Sequence, residues 1–156
     1  MCHGVPSPKV FSSYFNVLEH KHSAKVYKID FRRKDSGWKR FSIALSFNNN
    51  TEYLKEFYDD PFMIGFLKNL YLRPPCHAYL FSSLPRVADF SLGDFWGISS
   101  THPEWDNDKG TSLVILSTIK AQEVINFCRA DLLFHDVDLD LAIKYNPCIC
   151  GSVKTR

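Results

Sequence analysis

Apolar side chains recur at helical spacing near the start of the chain: Val10, Phe11, Tyr14, Phe15 and Leu18. Ser7 suits an N-cap and Pro8 a first helical position, so a helix is predicted there, ended by the charged run Glu19 to His22. From Lys25 the period changes. Tyr27, Ile29 and Phe31 alternate with Lys28 and Asp30, and after the turn residues Asp35-Ser36-Gly37 the alternation resumes through Phe41, Ile43, Leu45 and Phe47. This pattern predicts a β-hairpin with one face on a core. Asn48 to Asn50 break the second strand, and a short helical piece is expected around Tyr53 to Tyr58. Asp60-Pro61 then reads as a cap and a first-turn proline, with Phe62, Met63, Phe66, Leu67 and Leu70 on one helical face.

The stretch from Leu70 to Gly97 lacks a regular amphipathic period, and Pro74, Pro75, Pro85, Gly93 and Gly97 punctuate it. Irregular backbone of this kind usually lies at the surface, where sites are built. It is also rich in apolar groups (Leu80, Phe81, Leu84, Val87, Phe90, Phe95 and Trp96), so it reads as the lining of a site. A loop is expected from Gly97 to Lys109. Leu113 to Leu116 form a short apolar run suited to a strand buried on both faces. Thr118 is placed to cap a helix with Ala121, Val124, Ile125, Cys128 and Leu132 on one side. A last short strand is expected at Leu133 to Val137, and a final helix from Asp138 to Asn146-Pro147. The expected fold is mixed α/β: a single domain over residues 1–156, with an antiparallel hairpin, a central buried strand and flanking helices.

Composition narrows the function classes. A hydrophobic content of 45% with 15% aromatic residues fits a packed globular chain. The net charge of +2 comes from nearly balanced, scattered charges and carries no nucleic-acid signature. The basic residues Arg32, Arg33, Lys34, Lys39 and Arg40 read as a solvated hairpin tip. No apolar run reaches the roughly 20 residues of a membrane-spanning helix, and MCHGVPSP lacks the regions of a signal peptide. A soluble, cytoplasmic protein is expected, so the five cysteines are not expected to form a disulfide framework. Cys128 reads as a core thiol. Cys148 and Cys150 are either ordinary cysteines near a tail or, with Cys2 and Cys76, a four-thiolate set. No hydrolase or dinucleotide motif occurs.

RPPCHAY at Arg73 to Tyr79, followed by LPRVADFSLGDFWGI at Leu84 to Ile98, resembles the signature of the C-terminal family of coenzyme F-420 hydrogenase/dehydrogenase beta subunits. CHGVPSPKVF at Cys2 to Phe11, FRRKDSGWKRFSI at Phe31 to Ile43 and GTSLVILST at Gly110 to Thr118 resemble further blocks of that family in the same order. The resemblance implies an iron–sulfur flavoprotein, with FAD and a 4Fe–4S cluster passing electrons to a redox partner. Cys2 and Cys76 match two cluster ligands. A third would fall at Tyr79, beside His77, and the family's upstream ligand segment would precede Met1, so the chain reads as an incomplete member whose upstream part is missing. For the flavin region the resemblance implies Arg73, Arg86, Asp89, Gly93, Asp94, Phe95, Trp96, Gly97 and Gly110. The plainer assignment makes Asp94 a turn residue, packs Trp96 in the core and pairs Arg86 with Asp89.

Two readings follow. One is an electron-transfer domain linking a cluster and a flavin to a ferredoxin-type iron–sulfur partner or module, or to a deazaflavin or other redox partner. The other is a degenerate member that keeps the fold as a structural or binding piece. If the fold is kept, Cys2 is expected within disulfide reach of Cys76. If a covering layer is missing, Val5, Phe11, Phe95 and Trp96 are expected to be exposed.

Overall fold

A computed structural model of the chain describes residues 2–154. The chain is mixed α/β and gathers into two compact units, Gly4–His77 and Ala78–Val153; Cys2 and His3 group with the second and Lys154 with the first. Among the described residues, no helix is long and apolar enough to cross a membrane.

The first unit runs α1 (Pro8–His22), β1 (Val26–Arg33), β2 (Ser42–Phe47), β3 (Glu52–Glu56) and α2 (Pro61–Leu67). Pro8 opens α1 as expected, and the helix stops where Ser23 turns left-handed at φ 49°. The three strands form one antiparallel sheet in the order β1-β2-β3. Ile29, Leu45 and Tyr53 share a register position across it. Residues 53–56 are therefore a strand, and the expected helical piece at Tyr53 to Tyr58 is corrected. Asn50, at φ 63°, closes the turn that returns the chain to β2, and the ladder outweighs a weak helical preference. Burial on both faces falls to β2, the second strand of the expected hairpin, and not to the separate run Leu113 to Leu116. Ile43, Leu45 and Phe47 have no exposed area, and with Leu18, Phe41, Phe62 and Met63 they form the core. Phe11 packs against that core, its ring 4.4 Å from Phe15, so its expected exposure is not found.

The second unit contains β4 (Phe90–Asp94), α3 (Ile98–Thr101), β5 (Ser112–Leu116), α4 (Ile119–Phe127) and α5 (Leu139–Tyr145). β4 and β5 form a two-stranded antiparallel ribbon. β5 is not buried on both faces: Leu113 is 4% exposed but its neighbour Val114 is 41% exposed. The alternation of a one-sided ribbon holds despite the unbroken apolar sequence. The core joins Phe95, Ile98, Leu113, Ala142 and Ile149. Thr118 accepts a hydrogen bond from the Ala121 N–H, so the predicted cap forms, and Asp138, expected as the start of the last helix, caps it by accepting the Leu141 N–H.

Three expectations for this unit are corrected. Residues 97–109 are not simply a loop: α3 follows Gly97, and Pro103–Trp105 form a 3₁₀ turn with proline in its first position. Leu133 to Val137 form no strand, because no ladder partner runs beside them; the segment is held by the His135 ring, stacked 4.1 Å from Trp105. The apolar stretch around Leu80 is not a buried lining, since Leu80, Phe81 and Val87 are exposed.

Candidate functional site

The chain's first turn and the RPPC segment meet within the first unit. Ser7 N–H donates to the Tyr71 carbonyl at 2.7 Å, Arg73 N–H to the Val5 carbonyl at 2.9 Å, and Pro6 bridges Leu72. Gly4 adopts φ 141°, and a Cβ there would lie 2.8 Å from a Leu72 methyl, so glycine permits this approach. The 3₁₀ turn Pro74–Ala78 then turns Cys76 back, and its Sγ accepts the Val5 N–H at 3.3 Å. Two blocks far apart in sequence are thus laid side by side. Arg73 is exposed. Cys2 is exposed and belongs to the other unit.

The DFWG residues serve mainly the second unit's own packing. Asp94 ends β4, and its carbonyl accepts Asn146 Nδ2 at 3.4 Å. Phe95 is 2% exposed in the core, against the expectation that it lies open. Trp96 and, in the first unit, Val5 are exposed as anticipated, so Trp96 does not sit in the core. Gly97 turns at φ 88° against the Tyr145 ring. Gly93 lies opposite Leu113 in the ribbon, and Gly110, at φ 91°, precedes β5.

Arg86 does not pair with Asp89. Its guanidinium donates to the backbone carbonyls of Phe81, Cys148 and Ile149, fastening the turn after α5. Its Nε is buried with no hydrogen-bond partner in the structure. Asp89 instead accepts the Thr118 hydroxyl at 2.6 Å and faces Lys120 Nζ at 3.6 Å. The Thr118 hydrogen bond, with Lys120 adding less, holds the Asp89 carboxyl below the usual carboxylate range. A depressed folded pKa contributes stability that is present above the unfolded value and lost as pH falls through the folded one. Asp89→Asn is therefore expected to flatten the acid limb of the second unit's stability profile. Denaturation midpoints compared between pH about 6 and about 3 measure this, and an unchanged acid limb contradicts it.

The remaining thiols do not complete a ligand set. Burial first, then the neighbouring Cys2 and Cys150, pushes the Cys148 thiol up. Cys128 ends α4, its N–H bonded to the Val124 carbonyl. Among the described residues, no group of three or more His, Cys, Asp or Glu side chains is placed to hold a metal ion. The residues present therefore do not fit a cubane cluster.

Sequence reasoning missed two constellations. Asp60 is fully buried and receives the Tyr14 and Tyr53 hydroxyls, each at 2.8 Å. Its only sequence signal is the cap before Pro61. The second is the stack of His102, Trp105 and His135, which no local pattern announces. Two grooves, of about 460 Å³ around Glu19, His20 and Lys25 and about 380 Å³ around Asp30, Arg33 and Glu52, are lined by no residue of the flavin set.

Among curated proteins and among solved structures, none matches the chain. The model of one family, the C terminus of the coenzyme F420 hydrogenase/dehydrogenase beta subunit, matches residues 1–139. With the CHGVPS, RPPC and DFWG blocks all inside that span, the chain belongs to the C-terminal family of coenzyme F420 hydrogenase/dehydrogenase beta subunits.

Proposed function

We propose that this chain serves as a binding and packing domain in the beta subunit of a redox enzyme and builds no iron–sulfur cluster from its own thiols. The carrying observation is the donor set. A cubane normally requires four thiolates, whereas only Cys2 and Cys76 match family ligands and the third position is Tyr79, a half-exposed phenol against Phe81. Arg86, Asp89, Phe95 and Gly97 are engaged in holding the second unit together. Of the flavin set, Gly93, Asp94, Trp96 and Gly110 of the second unit are the members that would meet a flavin held with a partner. In this reading the iron–sulfur centre belongs to a ferredoxin-type partner or module, and the chain contributes surface and shape.

Anaerobic reconstitution with iron and sulfide, followed by desalting and metal analysis, tests the reading. The expected result is no retained iron, and no change on replacing Cys2 and Cys76 by serine. Retention of roughly four irons per chain, lost in the serine variant, overturns it and returns the chain to the electron-transfer reading with its own cluster.

A further inference from the structure

Trp105 stacks on two imidazoles. The His102 ring lies 4.2 Å from it at an interplanar angle of 6°, and the His135 ring 4.1 Å from it at 9°. The two histidines are held very differently. His102 sits three residues before Trp105 in the same turn. Its Nδ1 is 3.0 Å from the Thr101 hydroxyl, and its carbonyl accepts the Trp105 N–H at 3.0 Å. His135 is exposed and belongs to the stretch Leu133 to Val137, which has no helix or ladder of its own. Val137 packs on the core at one end of that stretch, and the Arg129 guanidinium stands 4.8 Å over the Phe134 ring at the other. Between these ties, the contact with Trp105 is what lays the segment down.

The geometry suits a charged ring. Neutral aromatic pairs prefer offset or edge-on arrangements with centroids about 4.5–7 Å apart, and a near-parallel stack at 4.1 Å is tighter than that. A cation over an indole face is instead attracted by the ring quadrupole, and histidine is the side chain that ordinarily gains its charge between about pH 8 and pH 5. The surrounding charges act in the same direction. The turn that holds Trp105 brings Glu104 and Asp106, with Asp108 and Lys109 just beyond it. The segment that carries His135 brings Asp136 and Asp138, with Arg129 and Asp131 before it. Of the other elements packed on this core, α5 adds Asp140 and Lys144, and β4 ends in Asp94. Carboxylates prevail on both sides of the contact. Laying the segment on the turn gathers like charges, and a proton on His135 offsets them.

We propose that His135 is a pH-operated latch: protonated, it holds the segment Leu133 to Val137 down on Trp105, and deprotonated, it lets the segment lift and uncovers the indole. The closed form binds the proton more tightly than the open one. Its advantage is therefore complete at the acid end of the imidazole range and lost as pH rises through that range. His102 backs the indole in both states, because it travels with Trp105. Val137 stays in the core and limits the movement to the residues before it.

Fluorine NMR of the full chain labelled with 5-fluorotryptophan is the test. The three tryptophans give three resonances, and Trp38→Phe and Trp96→Phe identify the Trp105 signal by elimination. The change of that signal between H₂O and D₂O reads the exposure of the indole. From pH ~5.5 to ~8 the ratio of open to closed segment is expected to rise ~2–5-fold, the worth of one partly exposed cation–π contact, while the Trp38 signal keeps its exposure. His135→Phe retains a ring without the charge and is expected to abolish the pH dependence. His135→Arg, charged throughout and able to stack, is expected to keep Trp105 covered at both ends of the range. His102→Phe is expected to leave the rise in place. A wild-type exposure of Trp105 that is constant with pH, or that falls as pH rises, overturns the proposal without any variant. So does a rise that survives in His135→Phe or vanishes in His102→Phe.

Discussion

Alanine at Asp60 is expected to lower the stability of the first unit by roughly 4 kcal/mol, the sum of a lost cap and two orphaned hydroxyls. Asp60 has no exposed area, and three elements converge on it. Tyr14 comes from α1 and Tyr53 from β3, each donating at 2.8 Å, while the Met63 N–H of α2 donates at 2.7 Å. Removing the carboxyl leaves the buried Met63 N–H and two half-buried hydroxyls without their acceptor, and that cost exceeds the net value of the bonds themselves. Asn is expected to cost about half as much, because it keeps one acceptor oxygen but turns an N–H₂ toward a donor. Urea denaturation followed by circular dichroism measures both, and a loss below about 1 kcal/mol for alanine would refute the keystone role. The same site predicts an alkaline limb. Burial first, and the bond to Asp60 next, hold the Tyr14 and Tyr53 phenols above the ordinary tyrosine value. Their contribution is therefore complete below the unfolded pKa and lost as pH rises through the folded one.

Asp60 also marks what a linear reading can reach. Its cap role follows from Asp-Pro before an apolar run, since capping is decided within four residues. Its tyrosine partners are 46 residues before it and 7 before it, and nothing local encodes the first. The same division runs through the fold. α1, the hairpin, α2 and the two capped helices are legible because their apolar periods are long or their caps are chemically specific. β3 is not, because Tyr53 and Leu54 carry too short an alternation to compete with a helical pattern, and only the open side of β2 decides it. β5 reads as doubly buried because the unbroken apolar run Leu113 to Leu116 has no alternation to read; which residues face out depends on the ribbon around it.

For the site, the family blocks locate the segments but not the work of their side chains. Arg86 is a candidate for an anionic ligand by its charge alone. The structure turns it onto three carbonyls, two of them from a turn more than sixty residues later in the chain. A guanidinium's fork suits carbonyl groups as well as phosphates, and sequence holds no sign of which it meets. Phe95 is similar: an aromatic beside a glycine reads equally as a flavin platform or as core, and here it is core.

Gly97 gives the second unit its least replaceable position, and alanine there is expected to cost about 3–5 kcal/mol. Two separate penalties combine. The residue sits at φ 88°, where an L side chain is strained by about 1–3 kcal/mol. The added Cβ would also lie 2.2 Å from Tyr145 Cγ and 2.7 Å from Tyr145 Cβ. These are the root of the side chain, so the ring cannot swing clear by a rotamer change alone. Moving it means moving the end of α5, which leads directly to Asn146 on the Asp94 carbonyl and to the carbonyls held by Arg86. The disturbance should therefore spread along the seam between DFWG and the turn after α5. Hydrogen exchange in Ile98–Thr101 and Leu139–Tyr145 is expected to accelerate together in Gly97→Ala, while β2 keeps its protection. A double-mutant cycle with Tyr145→Ala isolates the part of the cost that comes from the ring. Against the truncated ring, Gly97→Ala sheds the clash with Tyr145 Cγ and Cδ1 but keeps the 2.7 Å approach to Cβ, so its cost should fall without reaching the backbone part alone. If the cost of Gly97→Ala is the same with and without the Tyr145 ring, the steric half of this account is wrong; if it is negligible in both, the whole account is.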